Sequence, residues 1–244
     1  MSFKTALVTG ASRGIGRSIA LTLAANGYHL MITCHRNAEL LEEVKQYIES
    51  HFPVTCITYA GDMGDYMTVQ QMYSIFCEHF SSLDVLVNNA GISYIGLLTD
   101  LSPEEWDRIL QTNLSSVFYT CRYGIPLMLR KKNGKIINIS SVWGITGASC
   151  EAAYSATKGG VNALTKALAK ELAPSNIQVN AIACGAIDTE MNSFLDEEEL
   201  SSLLLEIPAG RMGRPEEVAS LVMDLCTGNE YLTGQVIQLD GGWI

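Results

Sequence analysis

Apolar residues concentrate in short runs: TALVT (5–9), HLMIT (29–33), VTCITY (54–59), LDVLVN (83–88), KIINIS (135–140), IQVNAIA (177–183) and QVIQLD (235–240). These runs are rich in Val and Ile and apolar on both faces, the pattern of strands enclosed within a parallel sheet. Longer stretches of helical spacing lie between nearly all of them, at 14–26, 38–50, 66–80, 103–130, 153–173 and 215–227. This alternation predicts the α/β class, a doubly wound parallel sheet of about seven strands flanked by helices. No repeat, low-complexity tract or linker divides the chain, so 1–244 reads as a single domain. The one irregular segment is 185–214, GAIDTEMNSFLDEEELSSLLLEIPAGRMGR, with an acidic face at Asp196–Glu199. It is longer than an ordinary connection, and such segments commonly serve as lids.

Composition narrows the partners. A hydrophobic share of 48% over 244 residues supports a sizeable core. The formal net charge of −10 disfavours nucleic acid and anionic membranes. No run of 18 apolar residues occurs, and MSFKTALVTG enters a strand pattern without the outline of a signal peptide. The cysteines number seven, scattered and without CxxC spacing, which argues against a disulfide framework and a zinc site. A soluble protein of the reducing cytoplasm is expected. His29, His35, His51 and His79 have no clustered carboxylate or cysteine partners, so no metal site is expected.

The first strand ends in TGASRGIGR (9–17), where Gly10, Gly14 and Gly16 are spaced GxxxGxG around Ser12, Arg13 and Ile15. Glycines there permit a tight turn and close backbone approach to a pyrophosphate, which the next helix N-terminus attracts. Strand two ends in ITCHRN (32–37), with Cys34 where an NAD-binding unit carries an acid. Arg13 and Arg36 instead suit a 2′-phosphate, so the expected cofactor is NADP(H). AGDM (60–63) places Asp62 and Met63 after strand three, toward an adenine edge. NNAG (88–91) offers Asn89, Ala90 and Gly91 after strand four, with small residues for a nucleotide and Asn side chains to pin neighbouring strands. EAAYSATKGG (151–160) puts Tyr154 and Lys158 one helical turn apart on a shared face.

In this order TGASRGIG, NNAG, Asn113 in QTNLSSVF, Ser141 in NISSV and Tyr154/Lys158 in YSATK resemble the short-chain dehydrogenase/reductases. The resemblance spans essentially the whole chain, to YLTGQVIQLDGGW (231–243). EEWDRILQTNLSSVF, IPAGRMGRPEEVA and LTGQ…DGG are most similar to the 3-oxoacyl-[acyl-carrier-protein] reductases, homotetrameric NADPH-dependent enzymes of fatty-acid synthesis. The resemblance implies that Tyr154 gives the proton in ketone reduction. Lys158 would lower the Tyr154 pKa and hold the nicotinamide ribose, Ser141 would bind the substrate carbonyl, and Asn113 would hold a water of the proton relay. Ile187 backbone, Thr189 and Gly185 would flank the nicotinamide. An ammonium about 4 Å away at an effective dielectric near 20 supplies about 4 kcal/mol, or about three pKa units.

The chain departs from the pattern in places. Cys184 stands where the family commonly has proline, which would loosen the turn, and Cys150 is expected nearby. Of two basic positions that hold an acyl carrier near the site mouth in such reductases, one falls at Lys132 and the other at the uncharged Ser175. The expected partners are therefore a small-molecule or carrier-bound carbonyl, with acyl carrier protein one candidate. The carbonyl of a free metabolite, a coenzyme A thioester or a modified protein side chain is the alternative. A nucleotide-sensing relative without catalysis would typically lack Tyr154 or Lys158. Resemblance also implies a homotetramer packed through 103–130 and 153–173, with the C-terminal GGWI reaching a neighbour.

Overall fold

The computed structural model describes residues 3–192 and 196–244. The seven apolar runs form seven strands: β1 (Lys4–Val8), β2 (Tyr28–Cys34), β3 (Cys56–Ala60), β4 (Val85–Asn88), β5 (Gly134–Ser141), β6 (Ile177–Cys184) and β7 (Val236–Leu239). All adjacent strands pair in parallel in one sheet, ordered β3-β2-β1-β4-β5-β6-β7. This is the Rossmann order, with its switch point between β1 and β4. Strand four starts two residues later than the apolar run, because Asp84 turns aside. Its carboxylate accepts from the Thr5 N–H at 2.8 Å and pairs with Lys131 at 2.6 Å.

The helices are α1 (Gly14–Ala25), α2 (Ala38–His51), α3 (Tyr66–His79), α4 (Pro103–Leu110), α5 (Ser116–Leu129), α6 (Trp143–Thr146), α7 (Ala152–Leu172), α8 (Glu197–Glu206) and α9 (Pro215–Thr227). Successive strand residues point to opposite faces of the sheet. Ala6 and Val8 join Ile19, Leu23, Val218 and Val222 of α1 and α9, while Leu7 faces Met72, Phe76 and Met128 of α3 and α5. Both layers of the doubly wound pattern are thus filled.

The expected helix over 103–130 is interrupted. A Ser102–Glu105 capping box starts α4, but Gln111–Ser115 form a wider π turn before α5. Such turns concentrate at functional sites, and Asn113 is at its centre.

Segment 185–214 is tied down at both ends. Gly213 donates to the Ala186 carbonyl at 2.9 Å, and Asp188 donates to the Gly213 carbonyl at 2.8 Å. Asp196 caps α8, its carboxylate accepting from the Glu198 and Glu199 N–H groups. Residues 193–195 of the expected lid lie outside the described residues. Among the described residues, no helix is long and apolar enough to cross a membrane. All seven cysteines are free thiols.

Candidate active site

The glycine loop is built as a phosphate cradle. Gly10 and Gly14 have φ of +66° and +53°, where side chains strain the backbone. A Cβ on Gly16 would strike the Gly10 carbonyl and the Asn89 amide. Asn89 Nδ2 donates to the Thr9 and Gly10 carbonyls at 3.0 and 2.9 Å, and Thr9 Oγ1 accepts from the Asn89 and Ala90 N–H groups at 3.0 Å each. The NNAG side chains therefore pin strands as the sequence predicts. The α1 N-terminus has neither a side-chain cap nor an acidic residue in its first turn. Its N–H groups and positive dipole end are open to an anion.

The end of β2 carries no carboxylate, and Cys34 there is buried. Arg13 and Arg36 are exposed at the same edge, and neither makes an ion pair among the described residues. Asp62 Oδ1 accepts from the Gly64 N–H at 2.8 Å, and its Oδ2 is 4.0 Å from His35 Nε2. Met63 is in the core, so only its backbone faces this edge. Two free guanidiniums around an uncapped helix end fit a dinucleotide with a third phosphate.

The four expected catalytic residues gather at the carboxyl ends of β4, β5 and β6. Ser141 ends β5; its Oγ accepts from the Trp143 N–H at 3.2 Å, and its hydroxyl bonds the Tyr154 side chain. Tyr154 and Lys158 share one face of α7, with Lys158 Nζ 5.5 Å from the phenol ring centre. Lys158 is buried and donates to the Ile139 carbonyl at 2.8 Å. A Cβ on Gly91 would lie 3.6 Å from that nitrogen and 3.4 Å from Asn113 Oδ1, so NNAG and the π turn converge on the lysine. Asn113 Oδ1 accepts from the Ile92 N–H at 2.8 Å. Its Nδ2 donates to the Ile92 carbonyl at 2.8 Å and Thr157 Oγ1 at 3.2 Å.

Burial sets the electrostatics. It pushes the Tyr154 phenol well above its ordinary value; hydrogen bonding to Ser141 pulls it down, while Cys184 and Glu151 add to the rise. Burial also lowers Lys158 to about 8. The expected net lowering of Tyr154 by Lys158 is not what the chain's own groups produce. Desolvation is the largest cause of both shifts.

The chain matches the short chain dehydrogenase family model over residues 4–200. It is 43% identical over 240 residues to the 3-oxoacyl-[acyl-carrier-protein] reductase FabG of Staphylococcus aureus (strain Mu50), covering 98% of this chain and 97% of the relative. The chain belongs to the short-chain dehydrogenase family. The uncharacterized oxidoreductase YmfI of Bacillus subtilis (strain 168) is 39% identical over 241 residues, with 98% of each chain covered. The crystal structure of YwfH, an NADPH-dependent reductase involved in bacilysin biosynthesis, superposes with a TM-score of 0.93 at 30% identity, covering 100% of this chain and 99% of that one. This short-chain dehydrogenase is an NADP-dependent oxidoreductase, and NADP(H) fits the cradle and the free arginines.

Its cleft is a cavity of about 260 Å³ lined by both halves of the site. Ile15, Asn89, Gly91, Gly185, Ile187 and Thr189 line it together with Ser141, Tyr154 and Lys158. Gly185 passes so close to Asp240 that a Cβ would lie 2.8 Å from its Cα. Sequence reasoning placed 143–151, and so Glu151, in the pocket wall, but missed Ser93, Thr157 and the placement of Trp243. Thr157, beside Lys158 on α7, was recoverable as the partner a buried Asn113 needs, whereas Ser93 lies in a loop with no periodicity to mark it.

Two expectations are corrected. Cys184 does not loosen its turn: it ends β6, buried, its carbonyl accepts from the Val142 N–H at 2.9 Å, and the Gly185 N–H donates to Leu239 at 3.0 Å. Its thiol does lie in the cleft wall, raised to about 12 by burial. Trp243 stands 4.8 Å from the Trp143 ring, with Nε1 donating to Glu206 at 3.3 Å, while Ile244 after it is exposed. Lys132 and Ser175 are not at the site mouth. They precede β5 and β6, whereas Ser141 and Cys184 end those eight-residue strands, about 26 Å away at strand rise.

Proposed function

We propose that the chain is a single catalytic domain that reduces a carbonyl with NADPH, with Tyr154 as proton donor. The observation that carries this reading is the convergence of Ser141, Tyr154 and Lys158 on one cleft beside the glycine cradle. NADPH held at the cradle would supply the hydride, two electrons with one hydrogen, that the carbonyl carbon takes up, with NADP⁺ as the oxidised product. Tyr154 gives its phenolic proton to the oxygen as charge develops there, completing the alcohol. Ser141 donates a hydrogen bond to the same oxygen. Lys158, near 8, is mostly ammonium at pH 7 and stabilises the phenolate left behind. The Asn113 amide is taken up by Ile92 and Thr157, which supports a positioning role for Gly91 and the loop after it.

Gly10, Ser12, Arg13, Gly14, Ile15 and Gly16 would hold the phosphates, with Arg36 on the third. Asp62, Met63, Asn89, Ala90 and Gly91 would border the adenosine and ribose, and Gly185, Ile187 and Thr189 the nicotinamide. Segment 185–214 would serve as the substrate lid, and the protein would work as a cytoplasmic homotetramer.

A 3-oxoacyl thioester, the group handled by relatives named as carrier-protein reductases, is the first substrate reading. The second is a ketone without a carrier. It is favoured by the acidic α8 and by the uncharged Ser175 at one of the two carrier-holding positions. Steady-state oxidation of NADPH with acetoacetyl-[acyl carrier protein], acetoacetyl-coenzyme A and free ketones separates them. Preference for the carrier thioester establishes the first reading, and turnover of free ketones alone the second. Tyr154→Phe should lose turnover in every arm and still bind NADPH; a variant retaining most of its rate would remove Tyr154 from the proton step.

A further inference from the structure

Glu151 is a carboxylate that the reaction does not use. It precedes α7, yet makes no side-chain bond to the helix N–H groups. It turns instead across the cleft, where Oε2 accepts from Ser93 Oγ at 3.2 Å. The Ser93 loop is fixed to the same wall, since the Gly96 N–H donates to the Cys150 carbonyl at 2.8 Å. Glu151 is half-buried and lines the cleft with Tyr154, Ser141, Trp143 and Ile95. Burial pushes its carboxyl up, while hydrogen bonding from Ser93 and Trp143 pulls it down.

A carboxylate has about four acceptor positions, and a half-buried one is costly without partners. Among the described residues no Lys, Arg or His pairs with Glu151. Lys158, the cation of the same cleft, is bonded to Ile139. Glu151 lines the space a substrate enters, and the acceptor positions that Ser93 and Trp143 leave over complement a hydroxyl or an ammonium.

We infer that Glu151 is a specificity-determining residue: its carboxylate, fixed by Ser93 beside Tyr154 and Ser141, binds a hydroxyl or ammonium donor carried by the substrate near the reacting carbonyl. The inference rests on the carbonyl-reductase reading and deepens it, since plain alkyl ketones offer this group nothing.

The test uses matched ketones of nearly equal size: butan-2-one, hydroxyacetone and aminoacetone, and pentan-2-one with 4-hydroxybutan-2-one. NADPH oxidation is followed for the wild type, Glu151→Leu and Glu151→Gln. Dividing each variant by the wild type on the same ketone removes differences in intrinsic reactivity. Glu151→Leu should lose about ten- to a hundredfold in kcat/KM on the donor-bearing ketones, mainly through KM, and change little on the plain ones. Glu151→Gln should retain most of the hydroxyl preference and lose the ammonium preference. Equal losses on all ketones would mark Glu151 as a support for Tyr154 and overturn the inference. It also falls, with the reductase reading intact, if wild type and Glu151→Leu rank the ketones alike. If the wild type oxidises NADPH with none of these ketones or the acetoacetyl thioesters, the reductase reading fails and the inference with it.

Discussion

Lys158 is 5% exposed, and removal from water brings its ammonium down to about 8 from 10.5. At pH 7 the folded chain holds a buried cation whose desolvation its one carbonyl partner offsets only in part. Lys158→Met should therefore abolish turnover and raise stability at pH 7 by about 1–3 kcal/mol, read from urea midpoints. The sign with pH is fixed by linkage. Between about 8 and 10.5 the unfolded lysine holds a proton that the folded one has shed, so wild-type stability gains as pH rises and the advantage of the variant shrinks. An advantage that grows over this range would show that the buried group is not a depressed lysine. At this scale the sequence identified the groups but not their electrostatics. The spacing put Tyr154 and Lys158 on one face and the resemblance gave them a role, whereas the direction of the Tyr154 shift depends on burial contributed by residues far along the chain.

The strands show how a buried polar network can organise elements without touching substrate. Asn88 Nδ2 of β4 donates to Asn138 Oδ1 of β5 at 2.8 Å, and Asn138 Nδ2 donates to Thr165 Oγ1 of α7 at 2.8 Å. Thr120 of α5 donates to Asn88 Oδ1 at 2.6 Å. Asn138→Ala would leave Asn88 and Thr165 each short of a partner in the core. It should lower stability by about 1–3 kcal/mol in chemical denaturation and leave KM for NADPH nearly unchanged. All seven strands were legible because apolar residues concentrate in their runs. The π turn at Gln111–Ser115 was not, since one extra residue in a turn barely disturbs the apolar spacing of 103–130. The late start of β4 was hidden because Leu83 is buried like a strand residue while Asp84 bonds sideways.

For the molecule as a whole, charge and topology divide the labour. A chain of net charge −10 places two unpaired arginines beside the phosphate cradle, where the local field favours an anion. Arg13→Ala combined with Arg36→Asp should raise KM for NADPH by about tenfold or more and lower it for NADH, measured by steady-state kinetics at low salt. Unchanged preference would place the 2′-phosphate contacts elsewhere. The glycines and arginines of the cradle were legible because they lie within one βαβ unit, to which Asn89 after β4 is added by the sheet order. The cleft wall was less so, because Ser93, Glu151, Leu203 and Trp243 meet only once the sheet order and the return of α8 are fixed.

The contact between Trp143 and Trp243 has an optical consequence. The chain has three tryptophans; two meet ring to ring in the cleft wall, and the third, Trp106, is on α4. Intrinsic indole emission is therefore weighted toward the cleft. A ligand entering there changes the polarity around this pair while Trp106 supplies a steady background, so the unlabelled protein carries its own fluorescent gauge of occupancy.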